Sequence, residues 1–421
     1  RVPASATGRL TCERVGTPGD RNPFGAWVLL AAVQRRMPIG MVGEQVAKSG
    51  KTGGKRRSPL WARLCAIFGT VLVVVSGGVL VTSKVLIARY TNTVKTQNLF
   101  GDPASAGVKV SDIKKGPLNL LLVGIDPRND TTAPLSDSIM VVHVDETLQN
   151  AYVFSIARDL LVQIPPFAKT NFRGGTAKIN AAMSYGSSVG NGKHDVAQGF
   201  DLLAKTVSQL TGIKKFDAGA IINFGGFKKI VDAMGGVTMT IDQNVKSEHL
   251  RPDGSPRARL ASCASNQCAH PYIGPQATYK KGTYHLQGWQ ALDYVRQRYG
   301  LPKSDYDRQR HQQQFVKAMV DQALGKDVVT NPIKLDKVLT AAGQSLIFDG
   351  NGHSVVDWGL ALKNIRSQNM TLIKLPGGSV FDGKTYKGER LDDTANEFFA
   401  SVSDGSIASF MVNHPDYINK V

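Results

Sequence analysis

At 421 residues and a formal net charge of +18, the chain is long enough to bury a substantial core and basic enough to favour an acidic partner or surface. The excess is uneven: residues 1–63 carry 12 Lys and Arg against 3 Asp and Glu, so half of it lies in about a seventh of the sequence. Four cysteines are too few for a disulfide framework, and the sequence offers no Gly-rich phosphate loop, nucleophile elbow or supported Ser-His-Asp set.

In chain order, residues 1–63 read as a basic cytoplasmic tail, disordered rather than a DNA-binding arm, with Met37 and Met41 as candidate starts. Residues 64–83 contain no charge; as a helix they span roughly 30 Å, the thickness of a bilayer's hydrocarbon core. Lys51, Lys55, Arg56, Arg57 and Arg63 crowd the front of this segment, which places the N-terminus inside and everything after Lys84 outside. A single-pass type II anchor in the plasma membrane, with an extracytoplasmic folded region, is therefore expected. Residues 84–116 read as a stalk and linker.

Three short apolar runs follow. Asn119–Ile125 runs into Asp126 and Arg128, Asp137 opens Ile139–Val144, and Ala151–Ile156 delivers Arg158. Runs of this length bounded by turn residues predict strands, and an antiparallel meander would bring Asp126, Asp137 and Arg158 to one rim. Helical spacing covers Val196–Leu210, Phe227–Met234, Gln287–Tyr294 and Asp305–Leu324, with a strand at Val237–Ile241. The tail adds an amphipathic segment at Ser354–Ile365, a strand at Met370–Leu375 and a helix near Asp392–Val402. The expected fold is an α/β (α+β) layered domain, with a central mixed sheet flanked by helices and preceded by one transmembrane helix. Residues 117–325 form its catalytic part, and 326–421 an extension packed upon it.

Two carboxylates beside guanidinium groups suit a divalent cation holding a phosphorylated ligand. Arg296 and Arg298 would project together in extended geometry, although two solvated arginines would read the same way. Ser304 and Asp307 resemble a capping box opening a helix on which Arg308 and Gln312 share a face. Lys178 and Asn180 stand at a helix start, and His143 reads as a satisfied core histidine. Cys263 and Cys268, with His270 and His285 nearby, fit no zinc template well; in an extracytoplasmic loop a local disulfide is preferred.

Taken together, these segments resemble the LytR–CpsA–Psr family of bacterial cell-wall enzymes. The matching pieces are Asn119–Asp126, Ser136-Asp137-Ser-Ile-Met, Ser155-Ile-Ala-Arg158-Asp, Lys178-Ile-Asn180-Ala-Ala, Phe224–Val237, Gly288–Arg298 and Asp305–Gln312, in collinear order. The last of these resembles actinobacterial members. The resemblance implies a magnesium-dependent phosphotransferase (Mn2+ being the alternative ion) that moves a glycopolymer from a polyprenyl-pyrophosphate carrier to a peptidoglycan hydroxyl through a phosphodiester. By position, Asp126 and Asp137 would hold the metal; Arg158, Arg296 and Arg298 would grip the pyrophosphate; Arg308, Gln312, Lys178 and Arg128 would assist. Asp126 is also the candidate proton acceptor, and Val231 and Met234 are expected to line an apolar cavity for the carrier.

Leu135 and His311 occupy places where many members carry Arg, which removes expected phosphate-facing charge. A hydrolase using the same site, a membrane-anchored transcriptional regulator and a non-catalytic wall-polymer or lipid binder are the rival readings. The external position of the folded region argues against a nucleic-acid partner.

Overall fold

A computed structural model describes residues 94–101, 113, 115–126, 131–263, 268, 270–325 and 331–419, all within one unit, Phe68–Val421. The basic tail, the apolar segment 64–83 and Arg128 lie outside these residues. Among the described residues, no helix is long and apolar enough to cross a membrane.

Along the chain, β1 (Lys95–Thr96), β2 (Leu118–Ile125), β3 (Ser136–Val144) and β4 (Ala151–Ile156) precede a hairpin of β5 (Leu161–Ile164) and β6 (Gly175–Lys178). Then come α1 (Ala181–Ser187), α2 (Val196–Thr211), β7 (Ala218–Asn223), α3 (Phe224–Ala233), β8 (Val237–Ile241) and β9 (Gly282–Leu286). Next are α4 (Gly288–Arg296), α5 (Asp305–Ala323), α6 (Pro332–Ser345), β10 (Leu346–Asp349), α7 (Val355–Ala361) and β11 (Met370–Ile373). A second hairpin, β12 (Gly377–Asp382) and β13 (Thr385–Leu391), leads to α8 (Thr394–Asp404) and α9 (Ile407–Asn413).

Seven strands form one sheet in the order β1-β10-β7-β2-β3-β4-β11. β2, β3 and β4 make the expected antiparallel meander, whereas β7 lies parallel to β2 and β11 parallel to β4. The sheet is therefore mixed. Its central strands read as continuous apolar runs because both faces are covered, unlike a strand with one wet face. Leu121, Val123, Ile139 and Val141 point into a core with Phe200 and Val207 of α2 and Phe398 and Val402 of α8. Their alternating neighbours Leu122, Met140 and Val142 pack on the other face with Phe348, Trp358 and Val316. A third cluster joins α3, α4, α5, β8 and β9 through Val231, Met239, Leu286, Tyr294 and Phe315.

Local chemistry fixes several ends. Asp195 accepts hydrogen bonds from the amides of Ala197 (2.9 Å) and Gln198 (3.3 Å), capping α2, and Gly212 ends it at φ 72°. The expected Ser304 cap of α5 is not made. Ser304 has φ 45° and no side-chain cap bond, while Asp307 Oδ2 accepts from the Lys303 amide at 2.8 Å. The Tyr306 amide donates to the Lys303 carbonyl at 3.0 Å, so this turn closes through the backbone.

Two expected boundaries are redrawn. Residues 94–101 include an edge strand, and the Leu99 amide donates to Asp349 Oδ2 at 2.8 Å, so part of the supposed linker belongs to the fold. The segment after 325 contributes β10 and β11, which hydrogen-bond to β7 and β4 respectively, together with core side chains from α8. It completes the domain rather than decorating it.

Candidate functional site

The meander turns at its rim through an irregularity. Ile125 pairs with Ser136 and Gly124 with Ser138, so Asp137 is an extra, unpaired residue on β3. A bulge of this kind re-aims a side chain and frees backbone groups from the ladder. Both consequences are used here: Arg158 Nη1 donates to Asp137 Oδ1, and Arg308 Nη2 donates to the Asp137 carbonyl at 3.0 Å. Arg158 lies two residues beyond the end of β4, while Arg308 is one turn into α5.

Asp126 follows β2 directly and accepts from Arg296 Nη2 at 3.1 Å. Arg296 is the last residue of α4, and its guanidinium also sits over the Phe224 ring, 4.3 Å from the centroid. Gln297, the extended cap of α4, is buried, with Arg296 and Arg298 on either side of it lining one cavity. The pair therefore converges as expected, although Arg296 is helical rather than extended. Arg308 bonds Asp305 at 2.8 Å, and Lys178 reaches Asp159 at 3.5 Å and the Tyr386 ring at 4.7 Å.

The electrostatics follow from this crowding. Burial would lower the Arg158 guanidinium, but Asp137, Asp159 and Asp305 outweigh it and hold it above its ordinary value. Arg308 shifts the other way: burial dominates and repulsion from Arg158 and Arg298 adds to it, against the attraction of Asp305 and Asp137. Arg308 is thus the less fully compensated of the two, and its buried Nε has no hydrogen-bond partner among the described residues.

Gln312 faces the same rim and its amide also bonds the protein. Ser138 Oγ donates to Gln312 Oε1 at 2.8 Å and Gln312 Nε2 donates to the Val295 carbonyl at 3.3 Å, tying β3 to α4 and α5. These bonds make it a strut across the rim, and one Nε2 hydrogen lies outside them. His311 does not face the rim at all: it is fully buried, stacked on Tyr294 at 4.5 Å and 3.4 Å from Asp242. Its presence in place of Arg therefore removes no phosphate-facing charge. Burial raises Asp242, but His311 and Arg310 hold its carboxyl well below the usual range. Leu135 is 43% exposed at the rim.

Behind the rim opens an apolar cavity of about 400 Å3, walled by Leu122, Met140, Phe224, Phe227, Phe315 and Val320 among others, with Arg296 and Gln312 also lining it. Val231 and Met234 are not among its walls; both are buried elsewhere, Val231 in the cluster with Val237 and Ala291. Cys263 and Cys268 form a disulfide, and His143 is buried with its Nδ1 2.9 Å from Asn119 Oδ1. Sequence reasoning missed Asp305 and Phe224 as rim residues, although both stand inside quoted motifs, and gave Asp159 no role.

Among the described residues, no group of three or more His, Cys, Asp or Glu forms a metal cage. Asp126 and Asp137 are hard oxygen donors following and flanking paired strand ends, a set that suits a small cation completed by water and phosphate oxygens.

In this mixed α/β domain the arginine-bearing rim and the apolar cavity share the Arg296 side chain. The model of the LytR_cpsA_psr family matches residues 84–399, and the chain belongs to that family. It is 28% identical over 357 residues to the cell wall biosynthesis protein LcpA of Corynebacterium glutamicum, covering 79% of this chain and 62% of that one. It is also 28% identical to the polyisoprenyl-teichoic acid–peptidoglycan teichoic acid transferase TagV of Bacillus subtilis, over 68% of this chain and 62% of the relative. The chain thus spans about three fifths of the length of these curated relatives. Crystal structures of B. subtilis TagV (TM-score 0.50, 22% identity, 70% of this chain, 98% of that chain) and of a Streptococcus agalactiae protein (TM-score 0.53, 22%, 70% and 89%) share the fold.

Proposed function

We propose that the protein is a phosphotransferase that joins a glycopolymer, delivered on a polyprenyl-pyrophosphate lipid, to a hydroxyl of peptidoglycan. The observation that carries this reading is the position of Arg296, whose guanidinium belongs both to the charged rim with Asp126 and to the wall of the apolar cavity. A prenyl chain in the cavity would leave its pyrophosphate among Arg158, Arg296, Arg298 and Arg308. The transferase name carried by TagV and its relatives supports the same direction.

In the proposed step, the acceptor oxygen bonds the phosphorus that bears the glycopolymer. The bond from that phosphorus to the bridging oxygen breaks, the prenyl phosphate leaves with the electron pair, and the hydroxyl proton is released. The arginines are fixed before the reaction and face the oxygens on which charge accumulates, which is how preorganised donors lower such barriers. Asp126 and Asp137 would hold magnesium, with manganese as substitute. When bound, the ion supplies charge neutralisation at the phosphate oxygens. Residues 64–83 would anchor the chain in the plasma membrane with the domain outside, at the surface where the lipid lies.

Incubating the protein with a polyprenyl-pyrophosphate glycolipid, with and without peptidoglycan, tests the reading. Prenyl phosphate should appear together with polymer-linked peptidoglycan. Equal release without acceptor and no linked product would establish a hydrolase instead.

A further inference from the structure

We propose that a second cavity, which shares Arg296 with the apolar one, is a saccharide-binding subsite that receives the acceptor glycan. The assignment to an acceptor rests on the transfer reading above. The cavity measures about 400 Å3, within the range of small-molecule sites, and is lined by Glu248, His249, Tyr272, Arg296, Arg298 and Tyr299 among others. Arg296 lines both cavities, so ligands in the two would share that side chain.

The walls are built and held. Gln297, only 1% exposed, accepts from the Glu248 amide at 2.9 Å and donates to Asp293 Oδ1 at 2.7 Å, fastening the Glu248–His249 segment to the end of α4. Arg257 is buried and donates to the carbonyls of Glu248 (2.7 Å), Tyr272 (3.2 Å) and Gly274 (3.2 Å), joining the two sides. Asp293 is itself fixed by Ser247 (2.9 Å) and Tyr279 (2.8 Å).

The lining chemistry suits a pyranose. Such a ring offers a C–H face to an aromatic surface and a rim of hydroxyls that donate to carboxylate and imidazole lone pairs. Tyr299 remains 51% exposed while stacked with His270, and Tyr272 packs edge-on against His249 with centroids 5.1 Å apart. Glu248 lines the cavity as a carboxylate acceptor, with Oε1 3.5 Å from His270 Nδ1 and Oε2 3.8 Å from Arg257 Nη1. Burial, then the charges of Arg296, Arg257 and Arg298, push His249 down to about 4, so its ring is neutral and keeps a lone pair. The Glu248 carboxylate would repel a second phosphate but accept a hydrogen bond from an uncharged polyol.

The test titrates a soluble, uncrosslinked peptidoglycan tetrasaccharide into the whole chain in detergent micelles by calorimetry, comparing the natural chain with Tyr299→Ala and Glu248→Gln. Each variant should weaken glycan binding by about tenfold or more, the loss of one good contact, and leave binding of the polyprenyl-pyrophosphate lipid unchanged. Absence of glycan binding by the natural chain, or equal binding by both variants, would overturn the subsite. Glycan binding that responds to the variants without any polymer transfer would instead overturn the transferase reading and leave the subsite standing.

Discussion

Arg296→Ala separates stability from chemistry because the structure gives the side chain little to do for the fold. Its pair with Asp126 is about a third exposed on both sides, 36% and 32%, so screening leaves it worth at most about 1 kcal/mol. The stacking over Phe224 adds about 0.5–1 kcal/mol at such exposure. The melting temperature should therefore fall by only a few degrees, on the order of 2–4 °C per kcal/mol for a domain of this size or somewhat less. If the guanidinium meets charge that develops on the departing phosphate, its loss costs about 2.7–4 kcal/mol, or roughly 100- to 1000-fold in kcat. Arg296→Lys keeps the charge but not the planar fork, and should recover part of the rate. Transfer is followed as glycolipid-dependent labelling of peptidoglycan, beside thermal unfolding of each variant. Turnover near that of the natural chain, or a rate loss that simply tracks unfolding, would refute the assignment.

Three further outcomes are expected. Val320→Trp fills part of the apolar cavity and displaces several methylenes of carrier, each worth about 0.8 kcal/mol, so KM for a long-chain donor should rise at least about tenfold while a short-chain donor is little affected; equal effects on both would show that the tail lies elsewhere. Removing divalent cations with a chelator should abolish transfer, with magnesium restoring it and manganese substituting, and full turnover in chelator would eliminate the metal from the reading. The folded pKa of His249, about 4, lies below the ordinary 6.5, so the folded state binds fewer protons than the unfolded one across that window. Stability from this group is thus complete above about pH 6.5 and lost as pH falls towards 4; His249→Asn should flatten that part of a melting-temperature profile, and an unchanged slope would contradict it.

Some of this architecture was legible in the residues. The β2–β3–β4 meander was readable because each apolar run is buried on both faces and is delimited by Asp or Arg, and the structure pairs the strands as expected. The bulge at Asp137 was not readable, since it depends on the register between two strands and not on either strand's composition. The cavity walls were misassigned for a related reason. Phe227 and Val231 are a turn apart on α3, so helical spacing alone puts them together. Only the packing of β8 and α4 shows that Val231 is covered while Phe227 still lines the cavity. The expected Ser304 capping box is not made: Ser304 sits at φ 45° and Asp307 accepts from the Lys303 amide rather than from that of Ser304, a local backbone turn that residue types alone do not reveal.

The precision of the arginine cluster depends on chain far from its own motifs. Glu389 on β13 accepts from Tyr306 (3.2 Å), Ser379 (2.9 Å) and Tyr386 (2.8 Å), while its amide donates to the Asp159 carbonyl at 2.8 Å. One residue therefore holds both the turn that carries Arg158 and, through Tyr306, the first turn of α5, two residues before Arg308 and four before Arg310. Gln313 extends the same logic, donating to Ser155 Oγ (3.1 Å) and to the Ile373 carbonyl (2.8 Å), which binds α5 to β4 and β11 together. Guanidinium groups on flexible supports would have to be ordered anew at each turnover, whereas groups held this way incur that entropy once, on folding. The late strands and hairpin thus determine the spacing of charges whose side chains come from much earlier in the chain, and the site is a property of the completed sheet.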